Sequence, residues 1–195
     1  MAETSTLPLL NHELAEDELA WMHGVYADFE AKRAAFTGPP GAFNPKEALR
    51  EVLGRPEYAL PTPMDLTGDG PWRGGKNRHN RNVSGVFLKK VELHRHERSR
   101  TDQFPMYIVG EADGFSLNAD NQPVLEPVNG GDHCHNSPDA PHAFVPKVGK
   151  PVNSDWEIAF IAITPRNLKE DTQKVRDETR AAYQQVTGYE APVGV

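Results

Sequence analysis

Between residues 83 and 164 turn residues cut the chain into short β-patterned runs at close spacing. The runs lie at 83–96, 104–109, 114–117, 122–125, 133–136, 142–146 and 156–164. Closely spaced strands of this kind, separated by Gly, Pro, Asn and Asp, predict a mainly β domain built as an antiparallel sandwich or barrel.

What flanks the runs has a different period. From 11 to 36 the apolar residues Leu14, Leu19, Met22, Val25, Tyr26, Phe29 and Phe36 recur at helical spacing, with Gly38 as the expected stop. A second helix is expected after Asn44, which can cap it, with Pro45 in the first position, Glu47 completing a capping box and Gly54 at the end. Both are expected to cover a sheet. Residues 55–82 are rich in Pro, Gly and charge, the composition of loops and edge strands, and carry a basic cluster of Arg73, Lys76, Arg78, His79 and Arg81. That cluster is either solvated surface or a rim that attracts an anionic substrate. Residues 167–186 read as a charged C-terminal helix with Gly188 just past it. The expected division is a helical extension over 1–60, a barrel over 61–164, and a helix and tail over 165–195.

A chain of 195 residues suits one domain with a real core. Its 28 acidic against 21 basic residues, net −7, argue against nucleic acid or an anionic membrane as partner. Cys134 is the single cysteine, so neither an intrachain disulfide nor a cysteine-rich zinc module can form. No stretch approaches the apolar length of a membrane span, and the N-terminus lacks a basic region followed by an apolar run. The expectation is a soluble cytoplasmic protein acting on a small molecule, as a homo-oligomer, a dimer.

Inside the β region, His94 and His96 flank one residue of a strand, so both imidazoles project from the same face. His142 returns from a distant strand behind a Pro-containing turn. Three imidazoles that leave coordination positions open are the pattern of a catalytic metal site, suited to zinc, iron, nickel or copper.

Two motifs then carry a family resemblance. HRHERSRTDQFPMYIVG resembles the first motif of the cupins, and GDHCHNSPDAPHAF resembles the second, with Gly131, Asp132, Pro141, His142 and Phe144 in the matching places. The resemblance covers about residues 83–146. It implies a double-stranded β-barrel, jelly-roll-like, holding a metal on His94, His96 and His142. The chain departs from the family pattern at the glutamate expected soon after the histidine pair. The residue seven before Gly110 is Gln103, separated from His96 by the insertion ERSRTD. Some cupins that resemble this pattern use glutamine there, certain metal-dependent hydroxynitrile lyases among them. Gln103 is therefore the expected fourth ligand, with Glu97, Asp102 or no fourth ligand as the competing assignments.

Three imidazoles and a neutral amide leave the full charge on a divalent ion. The ion is then a stronger Lewis acid and favours an anionic ligand such as an enolate or carboxylate. If His94 and His96 face the interior, alternation also aims Glu92 and Lys90 inward, each either half of an ion pair or a shifted acid or base, and puts Tyr107 on the face of Gln103. His133 and His135 share a face, and His135 is a candidate proton carrier alongside Glu92 and Tyr107. Arg98 and Arg100 could clamp a carboxylate, with Lys90 as a further substrate contact. Cys134 reads as a small buried filler, and Tyr26, Trp72 and Trp156 as packing. The expected activity is that of an Fe(II)-dependent dioxygenase on a chelating substrate, with Mn, Ni or Zn as other ions. A lyase or isomerase using the metal as Lewis acid is the alternative, and a non-catalytic binding module the second.

Overall fold

The computed structural model describes residues 13–39, 41–88, 91–96, 103–110, 112–118, 120–136, 140–146, 158–164, 172–173 and 175–191. For Glu92, His96, Pro146, Thr172 and Gln173 only the backbone is described. The strands are β1 (Trp72–Lys76), β2 (Asn82–Leu88), β3 (Val91–His96), β4 (Phe104–Gly110), β5 (Ala112–Leu117), β6 (Pro123–Pro127), β7 (His142–Pro146), β8 (Ile158–Thr164) and β9 (Thr172–Gln173). The helices are α1 (Glu16–Ala34), α2 (Pro45–Leu53) and α3 (Asp177–Thr187), with one turn of 3-10 helix at Pro56–Tyr58.

Two antiparallel sheets form, in the orders β1-β2-β8-β4 and β6-β5-β7-β3-β9. Residues 133 and 136 extend the first sheet through isolated bridges, Met106 to His133 and Gln103 to Asn136. One sheet then runs β2, β8, β4, 133–136 and the other β3, β7, β5, β6, so the chain passes back and forth between them. That is the double-sheet jelly roll. The run expected over 83–96 is accordingly two strands, β2 in one sheet and β3 in the other. The 133–136 run is bridged backbone rather than a full strand.

Each sheet buries its outer face under helices. Met22, Val25 and Phe29 of α1 and Leu49 and Val52 of α2 pack with Trp72, Val83, Met106, Ile108, Ile161 and Ile163 of the first sheet. On the second sheet Leu93, Phe115, Ala143 and Val145 meet Tyr183 of α3, whose ring stands edge-on to Phe115 at 5.2 Å. Trp72 packs as expected, fully buried and edge-on to Phe87 at 4.9 Å. Trp156 lies outside the described residues.

The helix ends differ from the sequence reading in ways the contacts explain. Helix α1 begins at Glu16, where the Glu18 carboxylate accepts the Ala15 N–H at 2.8 Å. It stops at Ala34, short of Gly38, as Phe36 leaves the helical path to pack against Phe43 at 5.4 Å. Helix α2 keeps its expected cap and ends, Asn44 Oδ1 accepting from Lys46 and Glu47 N–H at 3.1 and 3.2 Å, but the expected capping box is not completed: the Glu47 side chain pairs with Arg50 instead. The C-terminal helix starts at Asp177, not 167, because Thr172 and Gln173 pair with His96 and Arg95 as β9. Strand pairing of the barrel thus reaches past residue 164. Gly188 closes α3 in the left-handed conformation at φ 72. Gly110, the glycine of the first motif, is fixed by a close approach: a Cβ there would lie 2.3 Å from the Val128 carbonyl oxygen.

One buried ion pair ties α1 to the first sheet. Glu18 is 2% exposed and Arg81 9%, with Arg81 Nη1 donating to Glu18 Oε2 at 3.0 Å and Asn77 donating to the other oxygen. Because removing one member leaves the other charge buried, Glu18→Ala is expected to cost about 3–5 kcal/mol in urea unfolding, and replacing both by Met markedly less. Equal losses for the two variants would contradict this account. Among the described residues no helix is long and apolar enough to cross a membrane.

Candidate metal centre

Strands β3 and β7 pair antiparallel with Val91 opposite Phe144 and His94 opposite His142. Directly opposed residues share a face, and the two imidazole centroids lie 4.3 Å apart. Leu93, Ala143 and Val145 point the other way, into the α3 core, which fixes the histidines on the inner face. His142 is 6% exposed and its Nδ1 lies 3.0 Å from the Ala140 carbonyl oxygen. A carbonyl can only accept, so Nδ1 carries a proton, and in the neutral ring the lone pair is then on Nε2. This is the tautomer, and the outer hydrogen bond, that metal-binding histidines use.

Both rings line a cavity of about 570 Å³ between the sheets, together with Gln103 and Asn136. Gln103 is anchored there by its backbone, its N–H donating to the Asn136 carbonyl at 3.1 Å and its carbonyl accepting from Asn136 N–H at 2.9 Å. The same-face position two residues beyond His94 is His96, whose side chain lies outside the described residues. Among the described residues no group of three His, Cys, Asp or Glu side chains converges. What is described fits a metal: two imidazoles on adjacent strands and an amide on the facing wall. His94, His142 and Gln103 would hold it.

Of the other candidates, Tyr107 lies one layer below. It is 4% exposed and packs edge-on against Phe144 and Phe160 at 5.4 and 6.0 Å, with its hydroxyl 3.4 Å from Cys134 Sγ. Burial, with the Cys134 side chain beside it, drives the Tyr107 phenol far above its ordinary range, and burial raises the Cys134 thiol too. Tyr107 therefore stays protonated near neutral pH, and Cys134 is the half-buried filler expected of it. His135 is not brought to the cavity: it is exposed and stacked on Phe104 at 4.9 Å and 11°. His133 is exposed and edge-on to His23 at 5.7 Å. Lys90, Glu97, Arg98, Arg100 and Asp102 lie outside the described residues, as does the side chain of Glu92.

The basic cluster separates. Arg78 and His79 pair with Asp17, and Arg81 with Glu18, while Arg73 lines the cavity. A smaller cavity of about 370 Å³ beside α1 is lined by Asp17, Glu18 and Trp21, but its carboxylates are the ones already committed to those cations. Sequence reasoning missed Asn82, Ser84, Asn136 and Thr164, which also line the main cavity. A signal was present in β2, where alternate positions 82, 84, 86 and 88 run Asn, Ser, Val, Leu.

Fold and site together define an antiparallel double-sheet β-barrel of jelly-roll topology, with the imidazoles of His94 and His142 on its inner face. No protein-family model matches the chain, and no curated protein matches it. Among solved structures it is similar to a Bacillus subtilis oxalate decarboxylase variant at TM-score 0.40 and 15% identity, over 65% of this chain and 33% of that one. It is similar to the Lactobacillus farciminis oxalate decarboxylase in its formate complex at TM-score 0.40 and 19% identity, over 65% and 37%. A structure from a study of DMSP lyases gives TM-score 0.38 and 11% identity over 81% and 95%. The chain spans about a third of the length of the oxalate decarboxylases.

Because Tyr107 lies beneath the site rather than in it, Tyr107→Phe is expected to leave metal content unchanged. It should lower stability by about 1 kcal/mol, the worth of one hydrogen bond. Elemental analysis beside thermal unfolding checks this, and loss of metal would put the phenol in the site.

Proposed function

We propose that this protein is a metal-dependent cupin enzyme acting on a small organic substrate that chelates the metal, with His94, His96, His142 and Gln103 as ligands. The observation that carries this reading is the His94–His142 pair, opposed across two strands inside a cavity, with His142 in its ligating tautomer. The proposed ion is Fe(II) and the proposed activity a dioxygenase; Mn, Ni and Zn suit the same imidazoles. Bound there, the ion would supply Lewis acidity and, as iron, one-electron chemistry with O2.

The chain's own residues do the remaining work. The Ala140 carbonyl holds the Nδ1 proton of His142 and so keeps Nε2 turned to its task. Val86, Leu88, Phe144 and Phe160 line the cavity with hydrocarbon and keep water from its depth. Arg73, Asn82, Ser84 and Thr164 offer N–H and O–H donors to the oxygens of a substrate.

The dioxygenase reading is preferred because imidazole ligands that leave coordination positions open would admit both O2 and a chelating substrate. The lyase or isomerase alternative would lean on Glu92.

Purified protein is expected to carry about one equivalent of divalent metal. His142→Ala should weaken metal affinity by more than the roughly 10–100-fold lost when only an outer hydrogen-bond partner of a ligand is removed. Oxygen uptake with enolisable dicarbonyl substrates tests the activity. Unchanged turnover without oxygen would move the enzyme to the lyases, and protein without stoichiometric metal would sink the metal-dependent reading.

A further inference from the structure

The main cavity is graded along its length, and the strand register shows how. In β2 and β8 Asn82 stands opposite Thr164, Ser84 opposite Ala162, and Val86 opposite Phe160. On the other side of β8, Pro105 stands opposite Ala162 and Tyr107 opposite Phe160. One position beyond the Phe104–Ile163 pair, Gln103 comes beside Thr164, with Asn136 bridged to it. Four rows therefore cross the inner face of the first sheet: Asn82, Thr164, Gln103 and Asn136; then Ser84, Ala162 and Pro105; then Val86, Phe160 and Tyr107; then Leu88 and Ile158. The second sheet repeats the order, since His94 and His142 are followed deeper by Val91 and Phe144. Polar groups and imidazoles hold one end, and hydrocarbon the other.

Resting on the metal site proposed above, we infer that the substrate is a short amphipathic molecule. An oxygen-bearing head chelates at the imidazole end, and an unbranched apolar tail lies along Val86, Leu88, Val91 and Phe144. Phe160 sets how long that tail can be. Same-face residues two apart along a strand are separated by about 6–7 Å. The hydrocarbon row therefore begins one such step below His142, within reach of a tail of a few carbons. Phe160, opposite Val86, is the largest side chain that lines the cavity from the first sheet, and Leu88 lines it one row deeper, opposite Ile158. Phe160 is half-buried and stands edge-on to Tyr107 at 6.0 Å, so it narrows the path of the tail without being locked in the helix-side core. The gradient stands apart from ligand identity, because the rows follow from backbone pairing.

Alkyl hydroxamates test this: the head chelates divalent metals, and the tail can be lengthened at will. Binding of acetohydroxamate, butanohydroxamate, hexanohydroxamate and octanohydroxamate to the metal-loaded protein is followed by calorimetry at fixed pH. Affinity is expected to rise about three- to fourfold per added methylene while the tail gains buried contact, and then to level off. In Phe160→Ala the levelling should move to a longer chain. In Val86→Phe, which fills the same space, it should move to a shorter one, with acetohydroxamate binding unchanged. Acetohydroxamate binding with no dependence on chain length, or levelling that neither variant moves, would overturn the inference and leave the metal site standing. Failure of every hydroxamate to bind the metal-loaded protein would overturn both.

Discussion

The pairing of His94 with His142 across β3 and β7 is the contact on which the rest of the site depends. In an antiparallel ladder a slip of one residue turns every side chain to the opposite face. A slip of β3 against β7 would turn His94 into the core under α3 and Leu93 to the cavity, parting His94 from His142. Leu93 is almost wholly buried in one cluster with Ala143, Val145, Phe115 and Tyr183. The apolar packing outside the barrel thus holds the register that builds the polar site inside it. Burying imidazoles would cost stability without hydrogen-bond partners, and the Ala140 carbonyl supplies one for His142.

The first sheet works by the same division. Its outward residues, Val83, Met106, Ile108, Ile161 and Ile163, are covered by α1 and α2, while its inward residues supply the graded rows of the cavity. This gives the N-terminal helices a mechanical part in a site they do not touch. Without them the sheet would expose a broad apolar face, and its alternation would lose the burial that fixes it. The Glu18–Arg81 pair and its Asn77 contact anchor α1 to the residues leading into β2. The start of the polar row is therefore placed by the first turn of the first helix.

Much of this was legible because it is periodic. The short β runs and the capped second helix are local patterns, and they map onto β2 to β8 and α2 with small shifts at the ends. What was not legible depends on contacts between distant segments. The 83–96 run gave no sign that residues after 88 leave one sheet for the other. Residues 172–173 read as helix because charge and spacing favoured it, yet β3 offered a strand to pair with. At the site, the opposed histidines were found by residue type. Asn82, Ser84 and Thr164 were passed over because hydroxyls and amides are common everywhere, and only the register puts them on one wall. His135 read in sequence as a candidate proton carrier, but it is exposed and stacks on Phe104, apart from the residues that line the cavity.

The graded cavity bears on how strongly a metal held by neutral ligands would act. Two imidazoles and an amide cancel none of the charge of a divalent ion, and a hydrocarbon floor offers little dielectric screening. Attraction between the ion and an anionic head is then greater than at a hydrated surface, while the same ion is costly to bury without such a head. A substrate that brings negative oxygens to the mouth and hydrocarbon to the floor meets both conditions at once. A purely polar molecule would leave the Val86–Phe160 row wetted, and a purely apolar one would leave the ion uncompensated. On the proposed ligand set, selectivity for a small amphipathic chelator would follow from the cavity as a whole, with the ligands and the strand register acting on opposite ends of the same molecule.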